Sequence, residues 1–246
     1  MSTLRQRLFE TYDVHYLRGN MFAGEKLTQQ DYRRRIREYE AQFGETVSRF
    51  PSLSEVADVG CGTGFLVYWL ASTRNAQHKI TGVDLSDAQL QVARQYVPEF
   101  VQLVHKDALT FLRENPARFG GIFCTDVLEH IDDEDAMLEL LEASKAALVS
   151  GGYFVCRVPN MANLVSPQLR YIDLTHKRGF TSLSLLQLLE CSGFSECKIV
   201  DRRAADFGQA VRMGVERLLH GVVYRICGVG NERHFSRTLV GVGRAE

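Results

Sequence analysis

The 246-residue chain has no long apolar run, no paired cysteine motif and almost no net charge. Each shortfall removes a class of protein. The opening residues, MSTLRQRLFETYDVHY, lack the apolar core of a secretion signal, and no run approaches the roughly 20 apolar residues of a membrane span. The cysteines at 61, 124, 156, 191, 197 and 227 are scattered without a CxxC pair, mostly in apolar, strand-like surroundings. A reduced, cytoplasmic protein is expected. A net charge of −1 supplies no global basic field to gather nucleic acid. Repeats, low-complexity tracts and linkers are also missing, so residues 1–246 read as one domain.

What is present is an alternation of strand-like and helix-like segments from about residue 55. EVADVG, KITGVDL, FVQLVHKD, FGGIFCT and YFVCRVPN are short apolar runs, separated by stretches of helical length such as FLVYWLAST, DAQLQVARQYV and EDAMLELLEASKAALVS. That order implies an α/β fold, a mostly parallel sheet flanked by helices on both faces. Residues 1–50, with the charged helix TQQDYRRRIREYEAQFGETVSRF, read as an N-terminal helical cap; Tyr12, His15 and Tyr16 are candidate lid contacts. Residues 51–160 form the cofactor-binding core, and 161–246 a substrate-side loop with two final strands, ECKIVDRR and HFSRTLVGVGRA.

VADVGCGTG places Asp58, Gly60, Cys61, Gly62 and Gly64 at the end of the first core strand. Glycines there permit a tight turn and close backbone approach to a ligand at a helix N-terminus. About twenty residues on, GVDLS ends the second strand with Asp84, followed by Leu85; an acid at that place hydrogen-bonds a ribose diol in Rossmann-like sheets. The spacing is GxGxG rather than the GxGxxG of a dinucleotide site, and an acid before it would repel a pyrophosphate. It suits a cofactor bearing an amino group and a sulfonium.

TDVLEHI follows the fourth strand. Asp126, Glu129 and His130 stand at i, i+3 and i+4, which in a helix would put them on one face. A metal site, an acid/base site and a solvated first turn all fit that spacing. Ligands in open α/β sheets lie beyond the carboxyl ends of strands, so Thr125 and these three residues leave the sheet where a bound ligand is expected. The long loop VPNMANLVSPQLRYIDLTHKRGFT adds Asp173 and His176, and loops of that length tend to be functional.

From about residue 55 to 200 the sequence resembles the class I S-adenosylmethionine-dependent methyltransferases. The resemblance implies a Rossmann-like seven-stranded sheet whose last strand runs antiparallel. It implies that Asp58 to Gly64 line the methionine part of S-adenosylmethionine, that Asp84 holds the ribose, and that Asp107, with Ala108 beside it, approaches the adenine; Asp107 also suits a helix N-cap. TDVLEHI with DLTH is similar to metal-dependent relatives that act on small-RNA ribose or on catechol-like rings. Carried over, the resemblance makes Asp126, Glu129, His130 and His176 ligands of Mg²⁺, Mn²⁺ or Zn²⁺. Asp126, shorter than the usual Glu, departs from that pattern. His130, His176 and Asp126 are equally candidates for catalysis, by metal-free acid/base work.

The whole-chain likeness to glycan-pathway methyltransferases makes a sugar or polyol hydroxyl the first expected acceptor, and a catechol or quinone precursor the alternative. A non-catalytic scaffold that binds the same cofactor is a third reading. Asn160, just beyond strand five, is expected to meet substrate, and Arg157 to be a strand residue. Residues 209–227 form an apolar helix carrying Arg212, Arg217 and Arg225. Its stripe fits a packed core, a homodimer contact or a peripheral membrane contact.

Overall fold

The computed structural model describes residues 7–8, 27–51, 54–73, 79–229 and 232–246. Tyr12, His15 and Tyr16 lie outside the described residues. Seven strands form one sheet: β1 Glu55–Val59, β2 Ile80–Asp84, β3 Gln102–His105, β4 Phe119–Thr125, β5 Leu148–Pro159, β6 Ser195–Val200 and β7 Thr238–Arg244, in the order β3-β2-β1-β4-β5-β7-β6. β1 to β5 pair in parallel, while β7 runs antiparallel between β5 and β6. The expected Rossmann-like sheet with its antiparallel last strand is present.

Alternation along the strands divides the core into two layers. Ile122 and Cys124 of β4, with Phe154, Cys156 and Val158 of β5, join one cluster with α5 (Glu134–Ala147) and α7 (Ser182–Cys191). Phe123 and Val155 point the other way, into a cluster with α1 (Gln29–Val47), α2 (Phe65–Thr73) and α3 (Asp87–Tyr96). Successive strand residues face opposite sides, so both sheet faces bury apolar surface and the central strands are apolar nearly throughout. α1 packs through Tyr32, Tyr39, Phe43 and Val47, which share one helical face, and Trp69 of α2 is fully buried with its indole N–H on Glu40 at 3.1 Å.

Local chemistry sets the helix starts that frame the sheet's carboxyl edge. Ser86 accepts from Gln89 N at the start of α3, and Asp107 accepts from Thr110 N at the start of α4 (Ala108–Arg113). Thr181 caps α7 and Asp206 caps α8 (Phe207–Ile226). Each side-chain oxygen takes a backbone N–H that has no partner within the helix. The chain between β5 and α7 adds the short helix α6 (Ser166–Tyr171). No described helix is long and apolar enough to cross a membrane. α8 does not bury the stripe that a core helix would: His220 alone among its residues is buried.

Candidate active site

The chain leaves β1 into a turn that β2 holds. Gly60 N and Cys61 N both donate to Val83 O, at 2.8 and 3.0 Å, and Gly62 N donates to Asp84 Oδ2 at 2.7 Å. Gly60 adopts φ +76° and packs so tightly that a Cβ would lie 2.3 Å from Val127. Only glycine tolerates both conditions. Asp84 Oδ1 accepts from Ser86 N at 2.8 Å, so the two carboxylate oxygens tie the glycine turn to the next helix.

Beyond this edge opens a cavity of about 740 Å³. Asp58, Gly60, Cys61, Gly62, Asp84, Leu85, Asp107, Ala108 and Thr125 all line it. Gly64 does not. It turns at φ +83° against Val97, Ala93 and Val67, so its lack of a side chain serves helix packing rather than ligand contact. Asp107 is the N-cap of α4 and also lines the cavity wall.

Asp58 is almost completely buried, and its Oδ1 has no hydrogen-bond partner. Burial, reinforced by the neighbouring Asp84 carboxylate, pushes its pKa up to about 8. A buried carboxyl with an unused oxygen is poised to receive a cationic group.

Glu129, His130 and His176 also meet at the cavity, with one ligand-capable atom from each inside 4.8 Å of the others. TDVLEHI is not the α-helical turn that its spacing suggests. Asp126 sits at φ +56°, and only Leu128–His130 form a short 3-10 turn. The left-handed residue turns Asp126 toward Arg157, whose Nε donates to Asp126 Oδ1 at 3.0 Å and whose other donor reaches Asp126 Oδ2. Arg157 also donates to Gln42 at 3.2 Å and lies over the Tyr39 ring. Asp126 therefore lines the cavity as half of an ion pair, outside the Glu129–His130–His176 cluster.

The loop that carries His176 is fastened to the same turn. Lys177 N and Arg178 N both donate to the Glu129 carbonyl, at 2.7 and 3.1 Å. Thr175 donates its hydroxyl to Asp173 at 2.7 Å, so toward His130 Nδ1, 2.8 Å away, it acts as acceptor. His176 Nδ1 donates to Leu169 O at 2.8 Å. Both rings thus carry their proton on Nδ1, which leaves Nε2 as the basic nitrogen of each. Burial, then the neighbouring His176, pushes the His130 pKa down to about 4, keeping it neutral at physiological pH. Burial and the Asp126 carboxylate push Glu129 well above the usual carboxylate range, and its Oε2 has no hydrogen-bond partner.

Arg157 lies within β5, as expected. Arg157 is a cavity residue, whereas Asn160 is fully buried away from it, donating to His234 O and Ser236 O at 2.7 and 2.8 Å. Asn160 fixes the loop after β5 rather than meeting substrate. Thr175 and Gln89 were not legible as site residues; the DxT spacing of Asp173 and Thr175, an Asx turn, was the available signal for Thr175.

Residues 56–152 match a family described as methyltransferase domain. Among curated relatives, the ubiquinone biosynthesis O-methyltransferase of Idiomarina loihiensis is 37% identical over 101 residues, 40% of this chain and 39% of that protein. The protein of the same name from Nitrosomonas europaea is 35% identical over 41% of each chain. The match thus spans about two-fifths of these relatives. Among solved structures, a SAM-dependent methyltransferase from Archaeoglobus fulgidus superposes with a TM-score of 0.65 at 19% identity, covering 96% of this chain and 99% of the other. One from Mesorhizobium loti gives 0.57 at 17% identity, covering 83% and 97%. These two establish the fold.

Proposed function

We propose that the chain is a class I S-adenosylmethionine-dependent methyltransferase that methylates a hydroxyl of a catechol-type ring or quinone precursor, a reading supported by the methyltransferase-domain match over residues 56–152 and by the shared fold. The sequence-based expectation places a sugar hydroxyl first; the curated relatives, named for ubiquinone biosynthesis, favour the alternative. The cavity wall agrees with that order. It includes Leu169, whose carbonyl holds His176, and Ile172, surfaces that suit an aromatic ring.

Bound in the cavity, S-adenosylmethionine supplies an electrophilic methyl group. Asp58 receives the cofactor's ammonium, and Asp84 accepts from the ribose hydroxyls while holding Gly62 N. The 3-10 turn and the His176 loop position the acceptor oxygen; such positioning is most of what the protein contributes to methyl transfer.

The observation that carries a metal-assisted reading is the orphaned Glu129 Oε2 facing two imidazoles already fixed as Nδ1–H tautomers. A carboxylate and two neutral imidazoles suit Zn²⁺, Mn²⁺ or Mg²⁺, and partners that fix ring orientation are typical of metal-ligating histidines. Glu129, His130 and His176 would hold the cation, which supplies Lewis-acid polarisation of a phenolic oxygen. Asp126 contributes through Arg157 instead. Without the ion, the Nε2 of a neutral imidazole is the group to take the acceptor's proton.

The test is methyl transfer from labelled cofactor to a panel of catechols, quinone precursors, glycans and sugar nucleotides, each with and without EDTA. Transfer to catechols that EDTA suppresses is expected. Transfer to sugars alone overturns the acceptor assignment. Full activity in EDTA together with a fully active His176→Ala overturns the metal.

A further inference from the structure

α8 is amphipathic and docks the wrong way round for a helix of a closed globule. It meets the body through polar side chains. Glu216 Oε1 accepts from Asn163 Nδ2 at 2.8 Å, His220 Nε2 accepts from Leu164 N at 3.0 Å, and Tyr224 donates to Ala162 O at 2.7 Å. These three lie at i, i+4 and i+8 on one face. Val211, Val215, Leu218, Leu219, Val222 and Ile226 occupy the opposite arc and are exposed, Leu218 by 67% and Ile226 by 80%. Surface helices ordinarily turn such a stripe inward, and an exposed apolar patch of this kind marks a contact surface.

The charges select the partner. At about 100° per residue, Arg225 and Arg212 fall about 20° beyond the two edges of the apolar arc. Arg212, Arg217 and Arg225 are all exposed, while the helix's one carboxylate, Glu216, is turned inward onto Asn163. Pairing this face with a second copy would set arginine against arginine. An anionic bilayer instead matches both components, an apolar sector for the acyl boundary and flanking arginines for lipid phosphates.

We propose that α8 is a docking surface for anionic membranes, with its aliphatic arc seated at the acyl boundary and the flanking Arg212 and Arg225 on lipid phosphates. This holds whichever acceptor the enzyme uses. The test is co-sedimentation of the full chain with phosphatidylcholine vesicles with and without phosphatidylglycerol. Binding to the anionic vesicles alone, weakened by salt, is expected. Combined Arg212→Gln and Arg225→Gln should weaken it roughly 25-fold, at about fivefold per arginine. Leu218→Ser with Ile226→Ser should abolish it while S-adenosylhomocysteine binding is retained, since both side chains are exposed. Equal binding to neutral vesicles, or unchanged binding by the arginine variant, overturns the proposal. So does a concentration-dependent dimer, seen by sedimentation velocity, that Leu218→Ser dissolves.

Discussion

Arg157, on β5, holds Asp126, at the end of β4, by two hydrogen bonds across the strand ends. The arginine side chain is 14% exposed and the aspartate 45%, so losing the carboxylate strands the more buried charge. Asp126→Ala should cost about 1–3 kcal/mol of stability, measured by urea denaturation. A double-mutant cycle with Arg157→Met should recover much of that loss. Metal affinity should be unchanged by Asp126→Ala and lost in Glu129→Gln; equal losses would return Asp126 to the ligand set.

Asp58 gives the protein a signature in pH. In the folded chain it keeps its proton up to about pH 8, whereas an unfolded aspartate loses it near 4. Between those values the folded state binds more protons, so this carboxyl's contribution makes stability fall as pH rises from about 4 to 8. Asp58→Asn should flatten the thermal-melting profile over that window. Binding of a cationic ammonium favours the ionised form, so cofactor binding at pH 7 should release a proton. Calorimetry in buffers of different ionisation enthalpy checks this, and Asp58→Asn should remove the release.

Asp84→Ala should weaken S-adenosylhomocysteine binding by roughly 10–100-fold, the range for losing hydrogen bonds to a charged group. It also removes the acceptor for Gly62 N and so loosens the turn. His130→Ala should leave this affinity nearly unchanged. A titration with equal losses would contradict the division between cofactor and acceptor ends.

The glycines of the turn are not equivalent. At Gly60 a methyl group meets both a positive φ and the Val127 side chain at 2.3 Å, so Gly60→Ala should cost roughly 2–5 kcal/mol. At Gly62 the nearest atom is the end of the Gln89 side chain, which can move, and about 1–2 kcal/mol of backbone strain remains. Melting temperatures of the two variants rank them.

Thr175 is buried and fixes the His130 ring through Nδ1. Thr175→Val keeps the shape but removes the acceptor, and should weaken zinc or manganese binding about 10–100-fold with little change in cofactor binding. Unaltered metal affinity would mean that the ring is oriented by packing alone.

What was legible in the sequence was local. The glycine turn, Asp84 at the end of β2, and the caps Ser86, Asp107 and Thr181 each follow from neighbours a few residues away. The spacing of Asp126 from Glu129 fits a helix, while the backbone there is left-handed, which spacing cannot reveal. Arg157 is the strand residue its sequence suggests, but its pairing is not local: its partner lies 31 positions back, just beyond the neighbouring strand. Asn160 was placed at the substrate because it follows a strand end, but the chain from His234 to Ser236 folds over it. The outward stripe of α8 was undecidable from periodicity, which gives an apolar face but not which side the body occupies.

The paired amide bonds from Lys177 and Arg178 to the Glu129 carbonyl carry a consequence for motion. The 3-10 turn and the histidine loop cannot separate without breaking both at once. They form one cooperative unit, whose opening would scatter Glu129, His130 and His176 together. Gating by a swing of that loop would disassemble the acceptor end at every cycle. Acceptor and product should therefore pass through the open side of the cavity, past a cluster that stays closed through turnover.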